Sequence, residues 1–141
     1  MAGFLVAAKA IIKEGNGQDH KPISIKSRKA KARTLQNRIK DDIMRLFHLS
    51  EHDVRSTPMG VAGPDIQLSE EARRKLNASI ECKAQNGLNI WSCMDQAIEN
   101  AEIQNNMPLL VFKRDRSDIY VAMRWSDFLK IIKNGVSMSR S

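Results

Sequence analysis

Residues 78–84, Ala-Ser-Ile-Glu-Cys-Lys-Ala, alternate apolar with polar side chains around a Glu-Cys-Lys centre. A period of two predicts a β-strand with Glu81 and Lys83 on the same face. Gln85 continues this face, on which successive side chains lie ~6.6 Å apart. The stretch therefore predicts a strand that carries a carboxylate, an ammonium group and an amide in line.

A second segment, Gly63-Pro64-Asp65-Ile66, precedes this strand and opens a predicted strand over residues 65–68. Asp65 comes to lie beside Glu81 if the two strands pair. Two carboxylates at a strand edge form an oxygen site suited to Mg²⁺, which usually takes one or two carboxylates and keeps several waters. Lys83 could then orient the attacking water or stabilise a charged transition state. The alternative is an ordinary amphipathic strand whose Glu and Lys face water.

The flanking patterns predict helices and short strands in mixed order. Apolar periodicity, caps and turn residues predict these elements: a helix from about Arg28 to Phe47, a strand at 53–57, a helical turn at 69–76, a helix at 90–105, strands at 108–113 and 118–125, and a helix at 126–134 that ends at Gly135. We therefore expect an α/β single domain with a central mixed five-stranded sheet flanked by helices. Residues 1–28 would form an amphipathic segment and basic linker, 29–135 the domain, and 136–141 a flexible tail.

Size and composition fit one globular domain with a polyanionic partner. The chain has 141 residues and a formal net charge of +7, with a sequence pI near 9.7. No stretch approaches the ~20 apolar residues that cross a bilayer, so we expect no membrane partner and a cytoplasmic protein. Two cysteines are too few for a disulfide framework or for a zinc site of their own.

The positive charge is concentrated at residues 21–40, which hold eight basic residues and no acidic residue. Helical spacing predicts one buried stripe, formed by Ala32, Leu35, Ile39, Ile43 and Leu46. An adjacent stripe consists of Lys29, Arg33, Gln36 and Lys40. A line of cations suits a phosphate backbone, although a solvated face or a flexible basic arm has the same composition. The candidate DNA contacts are Lys29, Arg33, Arg38, Lys40 and Arg55.

The Pro-Asp pair, followed sixteen residues later by Glu-x-Lys and then by a helix, resembles the PD-(D/E)xK nuclease superfamily. The resemblance covers roughly residues 29–125 and implies a restriction-endonuclease-like fold. It also implies that Asp65 and Glu81 bind metal, with the Cys82 carbonyl as a third oxygen. Lys83 would be the catalytic lysine, and Gln85 would lie at the edge of the site.

The stretch Val54-Arg55-Ser56, followed by a glycine-containing loop, is similar to archaeal-type and phage Holliday junction resolvases. This resemblance implies a branched or four-way DNA substrate, a homodimer, and Mg²⁺ as cofactor with Mn²⁺ able to substitute. Ser56 would contribute to the active site. Where those resolvases carry a glutamate on the first helix, this chain has Gln36, and an amide is a poorer cation ligand than a carboxylate.

Three functions remain open: a metal-dependent endonuclease, a basic DNA-binding module without catalysis, and a restriction or homing endonuclease. The third is disfavoured because 141 residues show no specificity domain. Convergence of Asp65, Glu81 and Lys83 would favour an enzyme, and scattered carboxylates would favour a binding module. For a homodimer, the first twenty residues and the last strand–helix unit are the candidate interfaces.

Overall fold

The structure, a computed structural model, describes the backbone of residues 22–139 and the side chains as far as Gly135. The amphipathic segment predicted at the N-terminus lies almost entirely outside these residues. The elements are, in chain order, α1 (Ile25–Phe47), β1 (Val54–Ser56), β2 (Ile66–Leu68), α2 (Glu70–Lys75), β3 (Ala78–Ala84), α3 (Ile90–Gln104), β4 (Met107–Lys113), β5 (Tyr120–Ala122) and α4 (Trp125–Ser139).

Helix α1 begins three residues earlier than the sequence predicts. Ser24 provides the N-cap, because its side chain accepts a hydrogen bond of 3.2 Å from the Ser27 N–H. Residues 25–28, predicted as irregular linker, are therefore the first turn of the helix. The helix ends at Phe47 as predicted, where His48 takes a left-handed conformation with φ of 53°.

Strands β3 and β4 are parallel, and α3 forms the crossover between them. Their register aligns Glu81 with Leu110 and Cys82 with Val111. Both β3 and the start of α3 match the predicted boundaries, and the Asn89 side chain caps α3 by accepting from the Ser92 N–H. Strand β5 pairs antiparallel with β4 and forms the edge of this three-stranded sheet.

The predicted single five-stranded sheet is wrong in one respect, because the strands form two hydrogen-bonded sheets. Strands β1 and β2 pair antiparallel in a separate two-stranded sheet, with Ser56 opposite Ile66. A hydrogen bond of 2.9 Å from the Asp65 N–H to the Ile80 carbonyl joins this hairpin to the free edge of β3. The connection is made only at the start of β2, because the hairpin strands are three residues long and diverge from β3 beyond it.

The three-stranded sheet is covered on both faces. On one face, α1 and the β1–β2 hairpin bury Leu35, Ile43 and Val54 against Ile80 and Cys82. On the other face, α3 packs against β3 and β4 and buries small side chains, namely Cys93, Ala97 and Ala101. The predicted buried stripe of α1 is correct at Leu35 and Ile43 and wrong at Leu46, which is 71% exposed near the end of the helix.

The C-terminal part differs most from the prediction. Strand β5 spans three residues instead of eight, because its pairing with β4 is limited to Tyr120–Ala122 and Trp125, the last residue of the predicted strand, begins α4. Helix α4 continues through Gly135 to Ser139, past the predicted end at Asn134. No helix among residues 22–139 has both the length and the apolar character that a bilayer crossing requires.

Candidate active site

Asp65 is held at the junction between the hairpin and β3. Its N–H donates to the Ile80 carbonyl, and its carboxylate Oδ2 accepts from the Cys82 N–H at 2.7 Å. On the other side, the Thr57 N–H donates to the Asp65 carbonyl at 2.8 Å, and the Thr57 hydroxyl donates to the Pro64 carbonyl at 2.6 Å. These four hydrogen bonds fix the backbone and the side chain of Asp65 against β3.

Glu81 lies on the face of β3 that α3 covers, and only 3% of its surface is exposed. Its Oε1 is 2.9 Å from the Lys83 ammonium group, and its Oε2 accepts from the Asn100 amide at 3.4 Å. The Lys83 ammonium group also donates to the side-chain amide oxygen of Gln96 at 3.1 Å. The strand places the carboxylate and the ammonium side by side, and one turn of α3 supplies an amide to each.

The electrostatics of the three charged groups show that they interact as a cluster. Burial raises the pKa of the Asp65 carboxyl, against the lowering effects of the Cys82 N–H and the Lys83 charge. Burial also raises the pKa of Glu81, and the charge of Asp65 raises it further. Burial alone would lower the pKa of Lys83, but the hydrogen bond and charge of Glu81 outweigh it, so the pKa is raised. Lys83 is therefore a charged donor at neutral pH.

The Cys82 side chain faces the core, whereas its backbone N–H and carbonyl face the free edge of β3. Burial raises the pKa of its thiol, so the sulfur is the neutral thiol form inside the core. Its N–H points toward Asp65 at the free edge of β3, and the carbonyl of the same residue points to the same edge. This orientation agrees with the predicted use of the carbonyl oxygen.

Three further predicted site residues, Ser56, Gln85 and Gln36, lie in different parts of the fold. Ser56 precedes the Thr57–Asp65 connection and donates to the Asn37 side chain on α1 at 3.2 Å. Gln85 follows β3, where its N–H continues the ladder to Lys113, and its side chain is exposed. Gln36 is buried, with 6% of its surface exposed. Its side chain makes no hydrogen bond to Asp65, Glu81 or Lys83 within the described part of the chain, so its role at the site stays a prediction.

The comparison with known protein families agrees with this geometry. The family model described as "Phage putative PDDEXK endonuclease" matches residues 29–141. The chain belongs to this family. No curated protein and no solved structure matches it. The PD-(D/E)xK resemblance is therefore confirmed, and with it the α/β restriction-endonuclease-like fold class. The family description also supports nuclease activity on DNA.

In this PDDEXK chain the donor set suits a divalent cation bound jointly with substrate. Residues 22–139 contain no cluster of three or more His, Cys, Asp and Glu side chains able to hold a metal by itself. Asp65 and Glu81 supply two carboxylates; burial raises the pKa of Glu81, and repulsion from the Asp65 charge raises it further. A cation would relieve that repulsion, and Mg²⁺ is commonly held by one or two carboxylates together with waters and substrate phosphates. The residues present therefore fit such an ion.

The predicted cationic stripe of α1 is only partly available to DNA. Lys29 and Arg33 are exposed, whereas the next residue of the stripe, Gln36, is buried. The Lys40 side chain is 21% exposed, and its ammonium nitrogen lies 3.7 Å from the Glu51 Oε1 atom. The other two predicted DNA contacts also differ in their availability. Arg38 pairs with Asp42 at 2.9 Å, whereas Arg55 is exposed on β1. The stripe is therefore not one continuous solvent-facing line.

Sequence reasoning missed three residues that support the site, namely Thr57, Gln96 and Asn100. Hydroxyl and amide side chains occur everywhere, so their type alone carries little information. The available signal was their position: Gln96 and Asn100 are four residues apart and flank the buried Ala97, which indicates that two amides border the packed face of α3.

Proposed function

We propose that this chain is a Mg²⁺-dependent endonuclease that cleaves phosphodiester bonds in DNA, with four-way junctions as preferred substrate and Mn²⁺ able to replace Mg²⁺. The observation that carries the proposal is the convergence of Asp65, Glu81 and Lys83 where β3 meets the β1–β2 hairpin. Such convergence is the feature that separates an enzyme from a basic binding module.

Asp65 and Glu81 are the residues that would hold the metal, with the Cys82 carbonyl as a third oxygen. A divalent ion there supplies Lewis-acid stabilisation of the charge that develops on phosphate and lowers the pKa of water. Lys83 keeps its proton and donates a charged hydrogen bond toward the attacked phosphate or the water. Gln96 limits the directions that the Lys83 ammonium can take, because it accepts one of its three protons.

Binding of the DNA backbone is assigned to exposed cations on both sides of the hairpin. Lys29 and Arg33 lie on α1, and Arg55 lies on β1, one residue before Ser56. Ser56 is linked to α1 through Asn37, so it connects the basic helix with the strand that leads to Asp65. Arg38 and Lys40 contribute less, because nearby carboxylates already neutralise them in part.

The preference for a junction rests on the resemblance of Val54-Arg55-Ser56 and the following loop to resolvases. The loop carries two glycines in left-handed conformations, Gly60 with φ of 84° and Gly63 with φ of 115°. The same loop exposes the side chains of Met59, directly before Gly60, and of Val61, between the two glycines. Symmetric cleavage of a four-way junction requires two active sites, so we assign the chain to a homodimer that acts in the cytoplasm of a bacterium or a phage-infected cell.

The central experiment compares cleavage by Asp65→Asn, Glu81→Gln and a matched control, Glu102→Gln, on a synthetic junction. Glu102 is an exposed glutamate on α3 outside the cluster. Each site variant should lose at least ~100-fold in cleavage rate, the scale on which removal of one electrostatic contributor acts. Both should still bind the junction, because negative charge leaves the DNA-facing surface. Wild-type rates in either site variant would contradict the assigned site.

Substrate class is tested by cleavage of the junction against a linear duplex that contains the same arm sequences. Faster cleavage of the junction supports the resolvase assignment. Equal cleavage of both forms indicates a general endonuclease with the same active site. Tight binding without cleavage in Mg²⁺ or Mn²⁺ would assign the chain to the alternative, a DNA-binding module.

A further inference from the structure

Helix α4 carries its apolar side chains on the face that the rest of the molecule leaves exposed. The four residues and their exposed fractions are Trp125 at 70%, Phe128 at 40%, Leu129 at 46% and Ile132 at 44%. At 100° per residue they fall within an arc of about 100°. The Trp125 and Phe128 rings pack on each other, with centroids 5.7 Å apart. We call these four residues the α4 apolar face.

The opposite side of α4 is mostly polar, with Ile131 as its apolar member, and faces the body of the protein. Asp127 is 3% exposed, and it binds Arg124 at 2.8 Å and lies 3.7 Å from Lys130. Asp127 and Asn134 line a cleft whose other wall contains the end of α2 and the end of α3. The amphipathic helix is therefore oriented against the usual rule, with its polar side inward and its apolar side in solvent. Such a face marks an interaction site.

We propose that a second copy of this chain covers the α4 apolar face, in an antiparallel helix pair across a two-fold axis. The proposal rests on the proposed function in one respect, since paired cleavage of a junction requires two copies. It goes beyond that function by assigning the surface through which they meet.

The spacing of the apolar residues favours self-association. Trp125, Phe128, Leu129 and Ile132 follow one another at intervals of three, one and three residues. This pattern is the same in both directions about the midpoint between Phe128 and Leu129. In an antiparallel pair centred there, Trp125 meets Ile132 of the second copy, and Phe128 lies beside Phe128 of the second copy across the two-fold axis. An isologous contact requires this kind of self-complementarity.

The exposed area of the α4 apolar face is also close to the area that a specific interface buries. From their exposed fractions, the four side chains present roughly 450–500 Å² per copy, so two copies bring together nearly the ~1,000 Å² that a specific interface needs. No charged residue interrupts the face between Trp125 and Ile132, because Asp127 and Lys130 point away from it. Two such faces can therefore pack without burying an unpaired charge.

The alternative occupant of the α4 apolar face is the N-terminal part of the same chain, residues 1–21, which contains the predicted amphipathic segment. The described chain begins at Pro22, which borders a cavity with Ala84 and Gly87 at the carboxyl end of β3. Helix α4 instead borders Asn77 and Met107 at the amino ends of β3 and β4. The two ends of a seven-residue strand are ~20 Å apart, so the segment would have to run back along the whole sheet. A second copy needs no such path.

The test measures the oligomeric state of the full chain by sedimentation velocity, for wild type, Ile132→Glu and Ile103→Glu. Ile103 is an isoleucine on α3 that is 84% exposed, so it provides the same substitution on another surface. Wild type and Ile103→Glu should be dimers, and Ile132→Glu should raise the dimer dissociation constant at least ~100-fold. A monomeric wild type, or a dimer that Ile132→Glu leaves intact, would overturn the proposal.

A cross-link provides the second readout. Phe128→Cys lies next to the proposed axis and should form an intermolecular disulfide on mild oxidation with diamide. The two native cysteines are buried, so wild type should give little cross-linked product. If wild type is monomeric and Ile132→Glu lowers its melting temperature, the cover is the chain's own N-terminal segment and the proposal fails.

Cleavage separates this proposal from the proposed function. A wild-type dimer that cuts no DNA would refute the nuclease assignment and leave the interface in place. If the nuclease assignment holds, wild type should linearise a plasmid that extrudes a cruciform, because the two cuts are paired. Monomeric Ile132→Glu should produce mainly nicked circles from the same plasmid. Paired cutting by a monomeric variant would show that this interface does not couple the two sites.

Discussion

Thr57 offers the sharpest test of how the fold positions the active site. Its hydroxyl is buried and donates to the Pro64 carbonyl at 2.6 Å, while its N–H donates to the Asp65 carbonyl. Thr57→Val has nearly the same shape, keeps the N–H and removes only the hydroxyl. The buried Pro64 carbonyl then loses its donor. We therefore expect two separate effects, one on stability and one on cleavage.

The stability effect follows from the cost of a buried acceptor without a partner, about 1–3 kcal/mol. With an unfolding entropy of ~2.1 cal/mol/K per residue, 141 residues give ~0.3 kcal/mol/K, so each kcal/mol lowers Tm by ~3 °C. Thr57→Val should therefore melt about 3–10 °C below wild type in calorimetry. Thr57→Ser retains the hydroxyl and should recover most of this loss, apart from the cost of its missing methyl group.

The cleavage effect arises because Pro64 precedes Asp65 directly. A displacement of a reacting group by ~1 Å can cost about 100-fold in rate. Asp65 keeps its bonds to Ile80 and Cys82 in the variant, so we expect a loss of about 10- to 100-fold in single-turnover cleavage of a junction. The assay is run well below the Tm of both variants. A Thr57→Val protein with wild-type Tm and wild-type cleavage would refute this account of how Asp65 is held.

Three further outcomes are expected. Lys29→Ala combined with Arg33→Ala should lower the slope of log binding constant against log salt by up to ~1.8, whereas Arg73→Ala on α2 should leave it unchanged. Gln36→Glu should lower the Mg²⁺ concentration at half-maximal cleavage if this side chain faces the metal; an unchanged midpoint would mean that it faces elsewhere. The hydrogen bond from the Ser69 side chain, with those from Ser50, lowers the pKa of Asp53, so NMR titration should give a value below 3.8. A lowered folded-state pKa means that the stability due to Asp53 is present above pH 3.8 and is lost as the pH falls through the folded-state value.

The local parts of the fold could be predicted, because local signals define them. The alternation over residues 78–84 gives β3, and Asn89 marks the start of α3. The Ser69 side chain accepts from the Ala72 N–H and caps α2, as its position before two glutamates indicates. Each of these features depends on residues within one or two turns of one another.

The failures have non-local causes. Division into two sheets depends on how far the hairpin diverges from β3, which no local pattern encodes. Gly135 does not end α4, since a glycine inside a helix costs only ~1 kcal/mol and helical contacts continue to Ser139. Trp125, predicted as the last residue of a strand, instead begins α4 and is 70% exposed.

Within the proposed site, the sequence pointed to the charged residues and not to their supporting partners. Asp65, Glu81 and Lys83 follow from the strand pattern and from the Pro-Asp that precedes it. Asn100 and Gln96 reach the same cluster from a helix, across a distance in sequence that only the folded structure closes. A single amino-acid sequence points to candidate reactive groups before it points to the groups that hold them.

The arrangement around Glu81 also explains why substrate and cation should bind together. Both carboxylate oxygens already have donors, Lys83 at 2.9 Å on Oε1 and the Asn100 amide at 3.4 Å on Oε2. The contact to Asn100 is long and uncharged, whereas the contact to Lys83 is short and joins two full charges. The Oε2 atom is therefore the one that can exchange its partner at low cost, and Lys83 can remain in place beside it. In the proposed site, Asp65, Glu81 and the Cys82 carbonyl would supply three oxygens, and residues 22–139 add no third acidic, His or Cys side chain, so the remaining ligands would be water and phosphate. An ion held in this way would bind most tightly when DNA is present, which would restrict cleavage to the complex.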